Sequence, residues 1–253
     1  MAVVRLNGMI ASGARLGTLN DAGLAGAIEK AFVRGKPDAV ALVINSPGGS
    51  PAQSSLIAAR IRRLATEKQI KVYAFVEDLA ASGGYWLATA ADEIWVDRNS
   101  IVGSIGVISA SFGFHELMNR YGVERRVYTA GKSKSMADPF KPENPKDVAR
   151  IRALQDSIHQ TFIDQVKGAR GARLTAETDL FTGDIWVGQG AVDVGLADGV
   201  GHVVPKMKEL FGDKVKFISY GVRRSLFQRL GARLMGDAVG LIEERGLYAR
   251  YGL

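Results

Sequence analysis

Two short runs fix most of what this chain can fold into. Ala39-Val40-Ala41-Leu42-Val43-Ile44 and Lys71-Val72-Tyr73-Ala74-Phe75-Val76 are nearly continuous in apolar, β-branched and aromatic residues. A strand with one wet face alternates polar and apolar residues, so unbroken runs of this kind describe strands buried on both faces. Each run leads directly into a turn too rich in glycine and proline to be regular structure, Asn45-Ser46-Pro47-Gly48-Gly49-Ser50-Pro51 in one case and Asp78 to Gly84 in the other. A helical pattern follows each turn. Gln53 to Lys68 places Leu56, Ile57, Ile61 and Leu64 inward and Arg60, Arg62 and Arg63 outward, and Trp86 to Ala91 presents small residues to its packed face.

The rest of the chain repeats the theme. Val3 to Ile10 reads as a first strand, followed by a Gly-rich turn through Gly17. A helix capped by Asn20 or Asp21 then runs to about Arg34, and Gly35-Lys36-Pro37-Asp38 stops it. Glu93 to Asp97, Ile105 to Ser109 and Glu124 to Thr129 read as further strands, with a short helix from Phe114 to Tyr121. Asp138 to Pro145 cannot be regular. Lys146 to Lys167 is the longest helix, with Ile151, Leu154, Ile158, Phe162 and Val166 on one stripe. Phe181 to Trp186 is a short extended piece, Val187 to Gly190 a helical turn, Val203 to Phe211 a helix and Val215 to Tyr220 a last strand. Such alternation argues an α/β fold with a largely parallel sheet over residues 1–220. Residues 221–253 differ: Arg223, Arg224, Arg229, Arg233, Arg245 and Arg250 alternate with leucine, isoleucine and phenylalanine in a basic amphipathic tail. Packing on its own domain or on a neighbouring subunit is the first reading of that tail, and membrane-surface contact the second.

With 253 residues, 47% hydrophobic and 23% charged, the chain can bury a sizeable core. A net charge of +7 permits contact with anionic surfaces, but no basic run interleaved with aromatics marks a nucleic-acid face. The absence of cysteine excludes disulfides, thiol catalysis and thiolate metal sites. No stretch of ~20 apolar residues crosses a membrane. The expectation is a cytoplasmic protein, or a membrane-associated one whose anchor preceded residue 1.

Ser82 stands where the second buried strand meets its helix, a place where the first helical N–H groups are unpaired. Gly83-Gly84 lets another backbone come close. The same residues also fit a plain N-cap with glycines for tight packing. Ser46-Pro47-Gly48-Gly49 ends the other buried strand, so both loops lie at the carboxyl edge of the sheet, where α/β folds place their sites. Free N–H donors converging on a hydroxyl suit acyl transfer. A serine needs a base. His115, His159 and His202 read as surface or packing residues, none beside a carboxylate at triad spacing. Lysine is the alternative, since burial can bring an amine from ~10.4 toward 7–8. Lys132 and Lys134, in a Gly/Ser-rich loop after a strand, are the candidates.

Asn45-Ser46-Pro47-Gly48-Gly49, Ala80-Ala81-Ser82-Gly83-Gly84-Tyr85, Val102-Gly103-Ser104-Ile105-Gly106-Val107 and Gly131-Lys132-Ser133-Lys134 occur in this order. Together they resemble the half-length form of the signal peptide peptidase A (protease IV) family of serine peptidases, from about Val3 to Phe217. The resemblance implies the Clp/crotonase-type spiral of ββα units, with Ser82 as nucleophile and Lys134 as general base. It implies that Gly49 and Gly83 donate the oxyanion-hole N–H groups and that Ser104 orients the Lys134 amine. It implies no metal and no organic cofactor. It further implies a ring-like homo-oligomer in which serine and lysine of one site come from neighbouring protomers. The substrates it implies are signal peptide remnants and other unfolded peptides with small or apolar residues near the cut. Where many relatives carry Lys-Asp in the base loop, this chain has Lys134-Ser135. The competing readings are a Clp-type Ser–His–Asp peptidase using His115, a crotonase-type acyl-CoA enzyme, and a non-catalytic scaffold of the same fold.

Overall fold

The computed structural model describes residues 1–13, 18–221, 245–246 and 248–252. Its elements run β1 (Ala2–Asn7), α1 (Asp21–Val33), β2 (Ala39–Ser46), α2 (Pro51–Lys68), β3 (Lys71–Ala81), α3 (Gly83–Ala88), β4 (Glu93–Val96), β5 (Ile101–Gly103), α4 (His115–Arg120), α5 (Pro145–Arg170), β6 (Ile185–Val187), α6 (Gln189–Asp193), β7 (Gly199–Val200), α7 (Val203–Phe211) and β8 (Ile218–Tyr220). They form two compact units, Met1–Gly106 with Phe162–Leu253, and Val107–Thr161. Most of the basic tail, Arg223 to Arg233 included, lies outside the described residues, as does the turn through Gly17.

The first unit holds an eight-stranded sheet in the order β6-β5-β3-β2-β1-β8, with β4 also on β3 and β7 on β4. Every pairing is parallel except β5 with β6. This is the mixed α/β architecture with a largely parallel sheet that the buried runs imply. In β2, Val40, Leu42 and Ile44 pack into a cluster with α1 and α2, while Ala39, Ala41 and Val43 pack with Met207 of α7 on the other face. Both faces are covered, which is why the run never alternates in polarity.

Two helix starts follow from their caps. Asn20 accepts from the Gly23 N–H ahead of α1, and Ser50 accepts from the Gln53 N–H ahead of α2, with Pro51 in the first turn. β3 runs further than its apolar stretch, through Ala81, because Leu79, Ala80 and Ala81 pair with β5 after Tyr73 to Val76 have paired with β4. The strand expected at Ile105–Ser109 does not form. Its place in the sheet is taken by Ile101–Gly103, which Gly103 at φ 105° and Ser104 at φ 51° terminate.

In the second unit none of the residues 107–161 is buried. Glu124 to Thr129 is not a strand there; the charged side chains Arg125 and Arg126 turn to Asp138 and Glu124 instead. Phe114 stacks on Phe140 at 5.7 Å, and the Arg125 guanidinium lies over the Phe140 ring at 4.7 Å. Phe112, Tyr121 and Tyr128 are 73–91% exposed, and the α5 stripe is bare at Leu154 and Ile158 but buried at Phe162 and Val166.

Candidate active site

Ser82 joins β3 to α3 with φ 53° and ψ −122°, a backbone conformation that a non-glycine residue seldom adopts. Its neighbours from Leu79 to Ala90 are all buried, and Ser82 alone among them is partly open. Its side chain makes no capping hydrogen bond, so the N-cap reading does not describe it. The platform behind it is rigid. The Tyr85 hydroxyl donates to the Leu196 carbonyl at 2.8 Å, and Trp86 stacks on Phe162 at 4.9 Å. Burial pushes the Tyr85 phenol well above its ordinary range, keeping it a neutral donor. Nearby, Arg170 donates to both oxygens of Asp198 and to the Gly195 carbonyl, in a buried network that ties the end of α5 to the loop Tyr85 reaches.

The Ser46–Gly49 loop is interlocked with this turn. A Cβ on Gly48 would stand 2.6 Å from the Gly83 nitrogen and 2.8 Å from the Ser82 Cβ. A Cβ on Gly84 would run into the Ser46 carbonyl. Buried Ser46 holds its own loop, donating to the Gly8 carbonyl at 2.7 Å while accepting from the Gly48 N–H at 3.2 Å. Ile10 pairs with Gly49 as a parallel bridge, its N–H donating to the Gly48 carbonyl and its carbonyl accepting from the Ser50 N–H. In that pattern the Gly49 N–H points away from Ile10. Gly83 is the first residue of α3, so its N–H has no intrahelical acceptor. Among the described residues neither N–H is engaged.

Ser104 reaches the same place by the sheet. The Ser82 N–H donates to the Gly103 carbonyl at 2.8 Å, which sets Ser104 one residue beyond. The structure therefore brings Ser82, Gly49, Gly83 and Ser104 into one unit. Lys134 belongs to the other unit, in an exposed turn at 131–136. Beside Lys134 in sequence, the Ser135 hydroxyl donates to Asp138 at 3.0 Å, and Lys141 donates to Ser135 at 3.3 Å. The hydrogen bond from Arg125 holds the Asp138 carboxyl down at about 2.

The sequence reading missed three participants. Ser46 is visible as a serine between a buried strand and Pro-Gly-Gly, but its role needs the coordinates. Tyr248 and Tyr251 are spaced one helical turn apart, and their hydroxyls reach the Asn45 carbonyl at 3.0 Å and Ser104 Oγ at 3.2 Å. His202 does find a carboxylate, Asp97 at 2.7 Å, but the β3–β4 ladder just before Asp97 ends with Val76 opposite Val96, six residues short of Ser82. Among the described residues no three His, Asp or Glu side chains cluster to hold a metal ion.

The sequence model of peptidase family S49 matches residues 65–212, more than half of the chain and the three glycine- and serine-rich segments from the Ser82 turn onward. The chain belongs to peptidase family S49. Its relatives include a Methanocaldococcus jannaschii protein provisionally named a protease, 34% identical over 68% of this chain and 54% of that one. Another, from Enterococcus faecium, is provisionally named signal peptide peptidase SppA, 31% identical over 69% of this chain and 51% of that one. A Brucella melitensis protein named Na(+)/H(+) antiporter NhaA is 49% identical over 99% of this chain, which corresponds to 36% of its own length. The chain thus spans from about a third to about half of the length of these relatives.

Proposed function

We propose that this chain is a cofactor-independent serine endopeptidase with a Ser82–Lys134 dyad. The observation that carries the reading is the interlock of the Gly48-Gly49 loop with the Ser82 turn, where among the described residues the Gly49 and Gly83 N–H groups have no acceptor beside an uncapped hydroxyl on a strained backbone. In this reading the neutral Lys134 amine takes the Ser82 proton as Oγ bonds to the scissile carbonyl carbon. The oxyanion that develops is held by the Gly49 and Gly83 N–H groups. The tetrahedral intermediate collapses as the amine leaving group takes the proton from the Lys134 ammonium. Water then attacks the acyl ester, giving its proton to Lys134, and Ser82 leaves with a proton restored. Ser104 orients the amine.

Lys134 stands in a unit with no buried residue and an exposed apolar surface. That supports a homo-oligomer in which one protomer's lysine completes its neighbour's site, the neighbour's surface supplying the burial a neutral amine requires. The peptidase domain is residues 1–220, followed by the basic tail of 221–253. The substrates are unfolded peptides, signal peptide remnants among them, as the name of the Enterococcus relative also suggests. The stretch shared with the Brucella protein contains the whole family match, and no helix among the described residues is long and apolar enough to cross a membrane. We therefore read the shared stretch as peptidase.

The test is intact mass after exposure to a serine-reactive phosphonate between pH 6 and 10. One adduct per chain that is absent from Ser82→Ala and Lys134→Ala is expected. Equal labelling of Ser82→Ala, or none of the wild type, overturns the assignment.

A further inference from the structure

Between Ile44 and Ser46 of β2 lies one residue, Asn45; between their partners Val76 and Ala80 of β3 lie three, Glu77, Asp78 and Leu79. β3 thus carries two extra residues, ~7 Å of strand, immediately before the turn that presents Ser82. Two bonds between side chains among the described residues reach this bulge: Arg5 of β1 donates to Glu77 at 3.0 Å on its exposed face, and Asn45 Nδ2, on the neighbouring strand, donates to Asp78 Oδ2 at 2.6 Å. On the other flank the buried Ser100 hydroxyl sits on the Val76 carbonyl at 3.0 Å, with the Glu77 carbonyl beside it.

Asn45 is also the residue from which the Ser46–Gly49 loop departs. Its carboxamide orientation is fixed by Asp78 alone, because Oδ1 is buried and has no donor among the described residues. A flipped amide would set that oxygen against the carboxylate. An orphaned buried acceptor is costly, and its retention asks for a reason.

We propose that the Asn45–Asp78 pair is a positioning device for the reaction. It locks the β3 bulge to the root of the Ser46–Gly49 loop, so that the strand delivering Ser82 and the loop delivering the Gly49 N–H keep one distance from each other. Neither side chain touches the substrate. Both act through the backbone segments they clamp, and small displacements of such segments are amplified in rate. The inference rests on the peptidase reading of Ser82.

The experiment measures kcat and KM on a fluorogenic peptide, with phosphonate labelling in parallel, for the full chain. The variants are Asn45→Ala, Asp78→Ala, Asn45→Asp, the exchange Asn45→Asp with Asp78→Asn, and Ser82→Ala. The alanine variants are expected to lose about tenfold or more in kcat with KM within about twofold. Asn45→Asp sets two carboxylates face to face and is expected to be worse. The exchange lets the amide at position 78 donate to the carboxylate at position 45 and is expected to recover most of the lost kcat, which a general loss of packing would not allow. Wild-type kcat in the alanine variants, a loss confined to KM, or an exchange no better than Asn45→Asp overturns the positioning role while Ser82→Ala stays inactive. An unlabelled, inactive wild type instead removes the peptidase reading, and this inference with it.

Discussion

Gly48 lies against the backbone of Gly83 so closely that a side chain on Gly48 has no space: its Cβ would stand 2.6 Å from the Gly83 nitrogen and 2.8 Å from the Ala81 carbonyl oxygen. The φ of Gly48, +93°, independently disfavours any other residue. Gly48→Ala must therefore push the loop off the Ser82 turn and, in the proposed reading, carry the Gly49 N–H away from the reacting carbonyl. The expected result is a fall of about 10²–10³ in kcat, the cost of one oxyanion donor, with phosphonate labelling slowed alongside. An Ala variant with wild-type kcat would separate the interlock from catalysis.

In the proposed reading, Ser82 holds its strained backbone for the sake of its hydroxyl. Removing the hydroxyl without relieving the strain, in Ser82→Ala, should abolish hydrolysis and leave the melting temperature near that of the wild type. Ser82→Gly abolishes hydrolysis too but relieves a conformation that costs a non-glycine residue about 1–3 kcal/mol, offset in part by the flexibility of glycine in the unfolded chain. A net gain of about 1 kcal/mol should raise the melting temperature over Ser82→Ala by about 2–4 °C. Calorimetry of the two variants decides it, and equal melting points would mean that the turn stores no strain.

The loop that carries Lys134 and Asp138 has a pH dependence of its own. Arg125 and the Phe140 N–H hold the Asp138 carboxyl down at about 2, from an ordinary value of 3.8. A carboxyl depressed on folding contributes stability that is fully present above its unfolded value and is lost as pH falls through its folded value. Amide exchange protection over residues 125–140 should therefore hold down to about pH 4 and decline toward pH 2. In Asp138→Asn it should start lower and change little across that window. Protection that declines alike in both proteins would assign the acid sensitivity to another group.

How much of this was legible beforehand depends on what each residue answers to. α7 lies at Val203–Phe211, as its pattern implies, and Asn20 caps α1, because amphipathic spacing and caps are local properties. β3 was read five residues short, since Glu77 and Asp78 interrupt an apolar run that the ladder nevertheless continues, with β5 as its new neighbour. Glu124 to Thr129 has strand composition, but a strand exists only if another strand takes its N–H groups, and among the described residues none does. The tight turn at Ser82 and the close approach of Gly48 and Gly84 to neighbouring backbone were readable because such approach demands glycine. Ser46, Asn45 with Asp78, and Tyr251 were not, because ordinary polar residues acquire a role only from the partner that the fold brings to them.

The proposed sharing of one site between neighbouring protomers gives the last prediction. Ser82→Ala and Lys134→Ala variants, each assembled alone, should be inactive. If serine and lysine of one site come from neighbouring protomers, a dissociated and reassembled equal mixture regains activity. A site then works when an intact serine, carried by the Lys134→Ala chain, faces an intact lysine, carried by the Ser82→Ala chain. Random assembly meets that condition at about a quarter of sites, half multiplied by half, so about a quarter of the wild-type rate is expected. If each chain completes its own site, every site in the mixture lacks one of the two groups and the rate stays at the background of the separate variants. Recovery near a quarter together with adducts confined to the Lys134→Ala chains would place the nucleophile and base on different protomers, and absence of recovery would place them on one.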